Sequence, residues 1–327
     1  MGSWLELTHE EPLSPDIEIC DPHHHLWKDP VNNYFLEEFL SDISNNNVTS
    51  SVYVECQRQY NKDGPEQFAP VGETKFIDRE TGSTQHQASP VQIAAGIVGF
   101  ADLTLGSRVA PVLESHLAAS DRFRGIRYAT AHYPDPAVHS AHTNPNAFLM
   151  SDTTFREGFG LLERFELTFD AWVYFTQLLE IVDIAEAFPN IKIIVNHTGG
   201  VLGIGPFKDS HADIYPEWLR GMRQLSKCEN VFVKLGGLTM KMNGFQWHKR
   251  NAPPTSSILA DVLSPYFIAC IELFGSNRCM FESNFPIDRV SCSYTVLWNA
   301  MKRITSGASR DERSNLFRDT ATRVYGI

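Results

Sequence analysis

Eight short apolar or β-branched runs recur along the chain, and amphipathic stretches separate them. The runs are IEIC (17–20), SSVYVEC (50–56), AAGIVGFADL (94–103), FRGIRYA (123–129), TFDAWVY (168–174), IKIIVNH (191–197), NVFVKLGG (230–237) and RCMFESNF (278–285). Several are near-continuous rather than alternating, the pattern of parallel strands covered on both faces. Between them stand stretches such as NYFLEEFLSDIS, SRVAPVLESHLAAS, TQLLEIVDIAEAF and YPEWLRGMRQLSK, with apolar residues at helical spacing. Strand alternating with helix implies βαβ units and a mainly parallel sheet. Eight units in 327 residues favour a closed α/β (β/α)8 TIM barrel over an open doubly wound sheet. No GxGxxG or GxxxxGKS/T follows a strand-like run, which weakens a nucleotide-binding reading.

No composition break or Pro/Ser linker divides the chain, so a single domain over 1–327 is expected, with 1–16 as an N-terminal extension. Three longer connections follow the fourth, sixth and seventh runs. In a barrel such connections lie on the C-terminal face, where a site is built. The last carries Phe245, Trp247 and His248, which either line a pocket or pin the loop to the barrel rim.

A formal net charge of −11 and no Lys/Arg cluster argue against a nucleic-acid partner. The six cysteines are scattered without a CxxC and read as buried free thiols. The N-terminus has no basic region followed by an apolar run, and no stretch is expected to approach the roughly 20 apolar residues of a membrane helix. These features together set the expectations of a cytoplasmic protein, no membrane contact and a small-molecule substrate, with a homo-oligomer left open.

The chemistry gathers at strand ends. In IEICDPHHHLW, His23 and His25 are two residues apart, so on a strand they share a face about 6.5 Å apart, while His24 points to the helical layer. Two imidazoles spaced like this can share a metal ion of the zinc type. His197 closes the sixth run before a Gly pair, which brings a third imidazole to the same face. In CMFESNF, alternation puts Met280, Glu282 and Asn284 on one face. An inward Glu282 demands a partner, because an unpaired buried carboxylate is costly; the candidates are a metal ion or a barrel cation such as Lys234. Arg127 ends the fourth run and Arg58 follows the second, two groups able to hold an anionic substrate. Arg124 reads as a structural ion pair, and Tyr174 as a hydrogen-bond donor.

Taken in order, DPHHHLW, AAGIVGFADL, FRGIRYA, IIVNHTGG, VFVKLGGL and ATRVYGI resemble the amidohydrolase superfamily over nearly the whole chain. The nearest likeness is to the amidohydrolase-2 branch that contains sugar lactonases and 2-pyrone-4,6-dicarboxylate lactonase. The resemblance implies a (β/α)8 barrel that hydrolyses lactones or related bonds at its C-terminal face. It matches His23 and His25 to the strand-1 pair and His197 to the strand-6 histidine. It matches Asn284 to the strand-8 position where the family usually has Asp, the metal ligand or general base. An amide cannot accept a proton at neutral pH, so the carboxylate is expected to have moved to Glu282, with Asp288 the lesser substitute. The strand-5 histidine of two-metal members is missing from TFDAWVYF.

The expected function is therefore hydrolysis of a lactone or similar cyclic ester of a small carboxylated molecule. The expected catalytic set is His23, His25, His197, Glu282 and Asn284. The expected metal ligands are His23, His25, His197 and Glu282, for one divalent ion with zinc first; a metal-free route stays open. Substrate contacts are expected from Arg58, Arg127, Tyr174, Trp247 and His248. A metal-dependent decarboxylase or hydratase, and a non-catalytic binding protein with a degraded site, are the alternatives.

Overall fold

Eight parallel strands hydrogen-bond in chain order in the computed structural model, which describes residues 2–82 and 91–327. They are β1 (Ile19–His24), β2 (Val48–Val54), β3 (Gln92–Gly99), β4 (Phe123–Ala129), β5 (Thr168–Trp172), β6 (Ile193–Val195), β7 (Val231–Leu235) and β8 (Cys279–Phe281). One helix follows each strand in turn. These are α1 (Leu36–Ile43), α2 (Val71–Thr81), α3 (Ala110–Ala119), α4 (Thr153–Arg164), α5 (Leu178–Ala187), α6 (His211–Leu225), α7 (Ser256–Phe274) and α8 (Tyr294–Ile304). Helix starts are fixed locally: the Asp152, Thr255 and Ser293 side chains accept the backbone N–H groups of Phe155, Ile258 and Val296. The expected (β/α)8 barrel is the observed fold.

Two apolar layers hold it. Between sheet and helices lies a core that includes Phe39, Phe155, Phe159, Trp218, Phe267 and Trp298, and burying each such side chain is worth roughly 1.5–3 kcal/mol. Inside the barrel, Cys20, Val52, Val54, Val98, Ile194 and Met280 form a second layer, against which Val324 and Tyr325 of the C-terminal helix pack. Above this inner layer the inward positions turn polar.

The barrel closes only at its mouth. β8 leaves the ladder after Phe281, yet His24 pairs with Phe285 in a single parallel bridge. His25 N donates to Phe285 O at 2.8 Å, and Asn284 N to His23 O at 2.9 Å. The seam thus runs through the two segments richest in polar side chains.

Element ends differ from the sequence expectation in instructive ways. β1 does not stop at Cys20 but carries all of Asp21 to His24, with a register shift at the Pro22 position, whose residue has no N–H for the ladder. The expectation that no stretch approaches membrane-spanning length is corrected by α7, 19 residues of mean hydropathy 1.6. It packs against α8 and β7 in the outer layer. Five cysteines are buried and Cys56 is half-buried, all of them unpaired. The N-terminal extension is fastened by Trp4 Nε1 to Arg250 O, Thr8 Oγ1 to Pro253 O, and Glu10, which accepts from Ser256 N and Asn299 Nδ2.

Candidate active site

Glu282 stands at the centre. It is fully buried, one residue beyond β8, and lies between two imidazoles. His197 donates to its Oε1 from the backbone N at 3.0 Å, with Nδ1 of the same residue 2.8 Å from that oxygen. His23 Nδ1 lies 2.8 Å from Oε2. That second contact is poorly aligned, and Oε2 has no hydrogen-bond partner. A buried carboxylate oxygen without a donor is costly, and a cation would relieve it.

Backbone shape makes this convergence possible. His197, Thr198 and the Gly pair after them all have positive φ, 53° at both His197 and Thr198. That conformation is strained for a bulky side chain, and it swings the His197 ring back over the barrel. The ring then meets Trp172 edge-on at 4.6 Å between centroids. The pair Gly236 and Gly237 after β7 leaves room for both groups. A Cβ on Gly236 would come within 2.3 Å of Glu282 Cγ, and one on Gly237 within 2.5 Å of the His197 ring.

Donor atoms of His23, His197 and Glu282 all lie within 4.8 Å of one another. Two imidazoles and a carboxylate are a donor set that suits zinc and related ions. The orphaned Oε2 completes the fit, so these residues could hold one divalent ion. Burial, and then the charges of Lys234, His197, His25 and Arg127, hold His23 well below the usual histidine range, so it is a neutral imidazole with a lone pair to offer.

His25 is not part of this converged set. Its ring is 5.0 Å from that of His23, edge to face, but its Nδ1 is spent 2.8 Å from the Val54 carbonyl. The donor atoms that converge belong to His23 and His197 rather than to the expected His23–His25 pair; the Val54 carbonyl at Nδ1 of His25 leaves its Nε2 as the nitrogen with a lone pair to offer. His24 faces the helices, stacked on Phe39 of α1 at 4.2 Å and bonded to Ser51 Oγ at 2.9 Å.

A second polar group supports the first from below. Lys234 Nζ, fully buried on β7, pairs with Asp170 Oδ1 at 2.6 Å and comes within 3.4 Å of His23 Nδ1. Asp170 also accepts from Asn196 Nδ2 and from the Tyr325 hydroxyl, each at 3.0 Å. The proposed Lys234–Glu282 pair is therefore not formed; Lys234 belongs to Asp170. Asn284 is committed to Asp288. Its φ is 54° and its Nδ2 donates to Asp288 Oδ2 at 2.5 Å. Burial raises the Asp288 carboxyl to about 6 despite donors from Thr239 and Asn284.

The expected substrate contacts fare differently. Arg127 is buried and committed: its Nε donates to Glu55 Oε1 at 2.7 Å and its Nη2 to the Glu55 carbonyl. Only Nη1 faces the cluster, 3.5 Å from His23 Nε2. Arg127 thus forms an ion pair with Glu55 and keeps one N–H group toward the cluster. Arg124, expected in an ion pair, instead donates to the Asp121 and Phe123 carbonyls. Arg58 points outward, half exposed, with Asp29 4.0 Å away. Tyr174 is buried and gives its hydroxyl proton to the His139 carbonyl, so it is not a free donor. Trp247 is buried under the Arg250 guanidinium and beside Phe245, which stacks on His211 of α6. Phe245 and Trp247 thus pin the loop to the rim. Among the described residues no hydrogen bond or ring contact joins Trp247 or His248 to the histidine cluster.

Sequence reading missed the Lys234–Asp170 pair and His142, whose Nε2 is 3.2 Å from Glu55 Oε1. Inward alternation within KLGG and TFDAW could have flagged Lys234 and Asp170 as a buried opposite-charge pair. His142 gave no comparable signal, since it lies in an irregular loop.

Comparison with known proteins places this geometry. The family model described as Amidohydrolase matches residues 20–327. An uncharacterised protein, y4mH, of Sinorhizobium fredii is 33% identical over 335 residues, spanning 95% of this chain and 99% of its own. An L-fucono-1,5-lactonase of Burkholderia multivorans is 25% identical over 236 residues, 71% of this chain and 72% of its own. Among solved structures, a zinc-bound amidohydrolase of Burkholderia multivorans superposes with a TM-score of 0.72 at 20% identity. That match covers 94% of this chain and 99% of the other.

Proposed function

The chain belongs to the amidohydrolase family, and from that membership we propose that it hydrolyses the lactone of a sugar acid by attack of activated water at the barrel mouth. The observation that carries the reading is the buried meeting of His23, His197 and Glu282, a polar centre with no packing purpose at the one place where this fold builds sites. Relatives named as L-fucono-1,5-lactonases favour a sugar lactone within that class. A neutral ring fits better than an anionic one, because Arg58 is at the surface and Arg127 is neutralised by Glu55.

Each group has a physical task in this reading. His23, His197 and Glu282 would hold the divalent ion, with zinc the natural choice for two imidazoles and a carboxylate. Such an ion supplies Lewis acidity toward the carbonyl and acidity to a bound water. Lys234 and Arg127 flank His23 and, though each is paired with a carboxylate, offer N–H donors where oxyanion charge develops. Trp172 braces the His197 ring.

The test is proton release from a panel of aldono-1,4- and aldono-1,5-lactones and a carboxylated pyrone, followed with a pH indicator, beside metal analysis of protein purified without chelator. Enzymatic opening of a sugar lactone is expected. Rates no faster than spontaneous hydrolysis for every compound would sink the proposal.

A further inference from the structure

Opening a cyclic ester requires a proton for the ring oxygen as it leaves, and the residues of the central cluster are nearly closed to solvent. His23, His25, His197, Glu282, Glu55 and Arg127 are each at most 5% exposed. His142, in the connection after β4, is the contrast: its side chain is 32% exposed, while its Nε2 reaches to 3.2 Å from the buried Glu55 Oε1. The same oxygen accepts from Arg127 Nε, and Arg127 Nη1 extends to His23. Contacts therefore run without a break from the centre to solvent through His23, Arg127, Glu55 and His142.

His142 is also held in place. Ala141 N donates to Ala131 O at 2.8 Å, and Thr143 Oγ1 donates to Ala129 O at the end of β4. The backbone on both sides of the imidazole is thus tied to the barrel. The charged groups facing it are Glu55 and, behind that, Arg127. Arg127 and His142 outweigh the burial of Glu55 and bring its carboxyl to about 2, so Glu55 stays ionised as an acceptor for Nε2–H. That fixes the tautomer and leaves Nδ1 to give and take a proton.

We infer that His142 is the proton-transfer residue of the lactone reaction, with Glu55 orienting its ring; this rests on the lactonase reading above. Water adds to the carbonyl carbon, and the bond from that carbon to the ring oxygen breaks with its electron pair left on oxygen. The imidazolium of His142 gives that oxygen its proton and becomes neutral. The acyl end of the opened chain becomes a carboxylate. Of the two protons of the attacking water, one restores His142 and one passes to solvent.

The test is His142→Ala on a lactone that the wild type opens, with kcat and KM measured across pH, with and without added imidazole. A loss of about 10²-fold in kcat is expected with KM little changed, the limb of the pH profile that reports this group should vanish, and imidazole should restore turnover. If circular dichroism shows the alanine variant unfolded, His142→Gln keeps a hydrogen bond to Glu55 and must show the same loss of the pH limb. Wild-type turnover in the variant overturns the inference. So does a loss with an unchanged pH profile and no rescue, which would make His142 an anchor for its loop. A wild type inert on every lactone removes the lactonase reading as well; turnover indifferent to His142 removes this inference alone.

Discussion

Glu282 and Glu55 are both fully buried, both stand at strand ends of the barrel mouth, and each has a histidine nitrogen nearby. They differ in what compensates their charge. Glu55 is gripped by the Arg127 guanidinium through its side chain and its own carbonyl, so its charge is cancelled inside the protein. Glu282 meets only two imidazoles and a backbone N–H, with His23 held neutral; Oε2 of both carboxylates lacks a hydrogen bond, so the guanidinium is what separates them. Burial alone therefore does not tell a working carboxylate from a structural one. The partner does: a carboxylate paired with Arg has its charge met and can at most orient a neighbour such as His142, whereas one among imidazoles is incomplete until a cation arrives.

The sharpest way to break this contrast is Glu282→Gln. The amide keeps the shape but removes the charge that would hold a divalent ion. A drop of three to four powers of ten in kcat/KM, roughly 4–5.5 kcal/mol, is expected, together with loss of bound metal by elemental analysis and an unchanged circular dichroism spectrum. Full activity in this variant would end the assignment of Glu282 as the relocated carboxylate.

Glu55→Gln should act first on stability, and through the ring of His142 on kcat as well. It leaves the Arg127 guanidinium buried without a counter-charge, a change that costs roughly 3 kcal/mol or more. Urea unfolding should show the loss with an unchanged m-value. A variant as stable as the wild type would mean that the pair contributes nothing net, and that Glu55 is no more structural than Glu282.

How much of this was legible beforehand follows the same line. Periodicity carries the identity and order of strands, because apolar continuity is a local property; β4 matches FRGIRYA residue for residue. It fails in DPHH, where β1 continues through polar residues that only the mouth's hydrogen bonds support, such as Ser283 N and Tyr294 Oη donating to Asp21. Alternation correctly turned Glu282 inward and His24 outward. It could not choose partners, since Lys234 finds Asp170 and Arg127 finds Glu55 across 64 and 72 residues of chain. The end of the sixth run before a Gly pair marked His197 as a site residue, and the resemblance matched it. Which of its neighbours shares that site depended on ring orientation, set by a positive φ that no local pattern announces.

Asp288 adds a third buried carboxyl to the comparison, one with hydroxyl, amide and backbone donors but no ion pair among the described residues. Burial lifts it to about 6, above the ordinary Asp value. A raised carboxyl favours folding in its protonated form, so its contribution is full below about pH 4 and is lost as pH rises through 6. Asp288→Asn carries no such titration. Lost acceptor contacts give the variant a constant offset, but its stability relative to the wild type should climb by on the order of 2–3 kcal/mol between pH 4 and pH 7. A difference that stays flat across that range, measured by urea unfolding at each pH, would show that Asp288 is ionised throughout.

The smallest effect is expected where the contrast is drawn between arginines. Arg127 is buried and grips a carboxylate at 2.7 Å, while Arg58 is half exposed with Asp29 4.0 Å off. A surface pair at that distance is screened by water and salt and is worth little. Arg58→Ala should change stability by less than about 0.5 kcal/mol and leave KM for a neutral sugar lactone as it was. A marked rise in KM for a carboxylated lactone, with the neutral one unaffected, would return Arg58 to the substrate. It would mean that the residues after β2 fold over the mouth when an anionic ring is bound, and that the preference for a neutral ring argued from Arg58 and Arg127 is wrong.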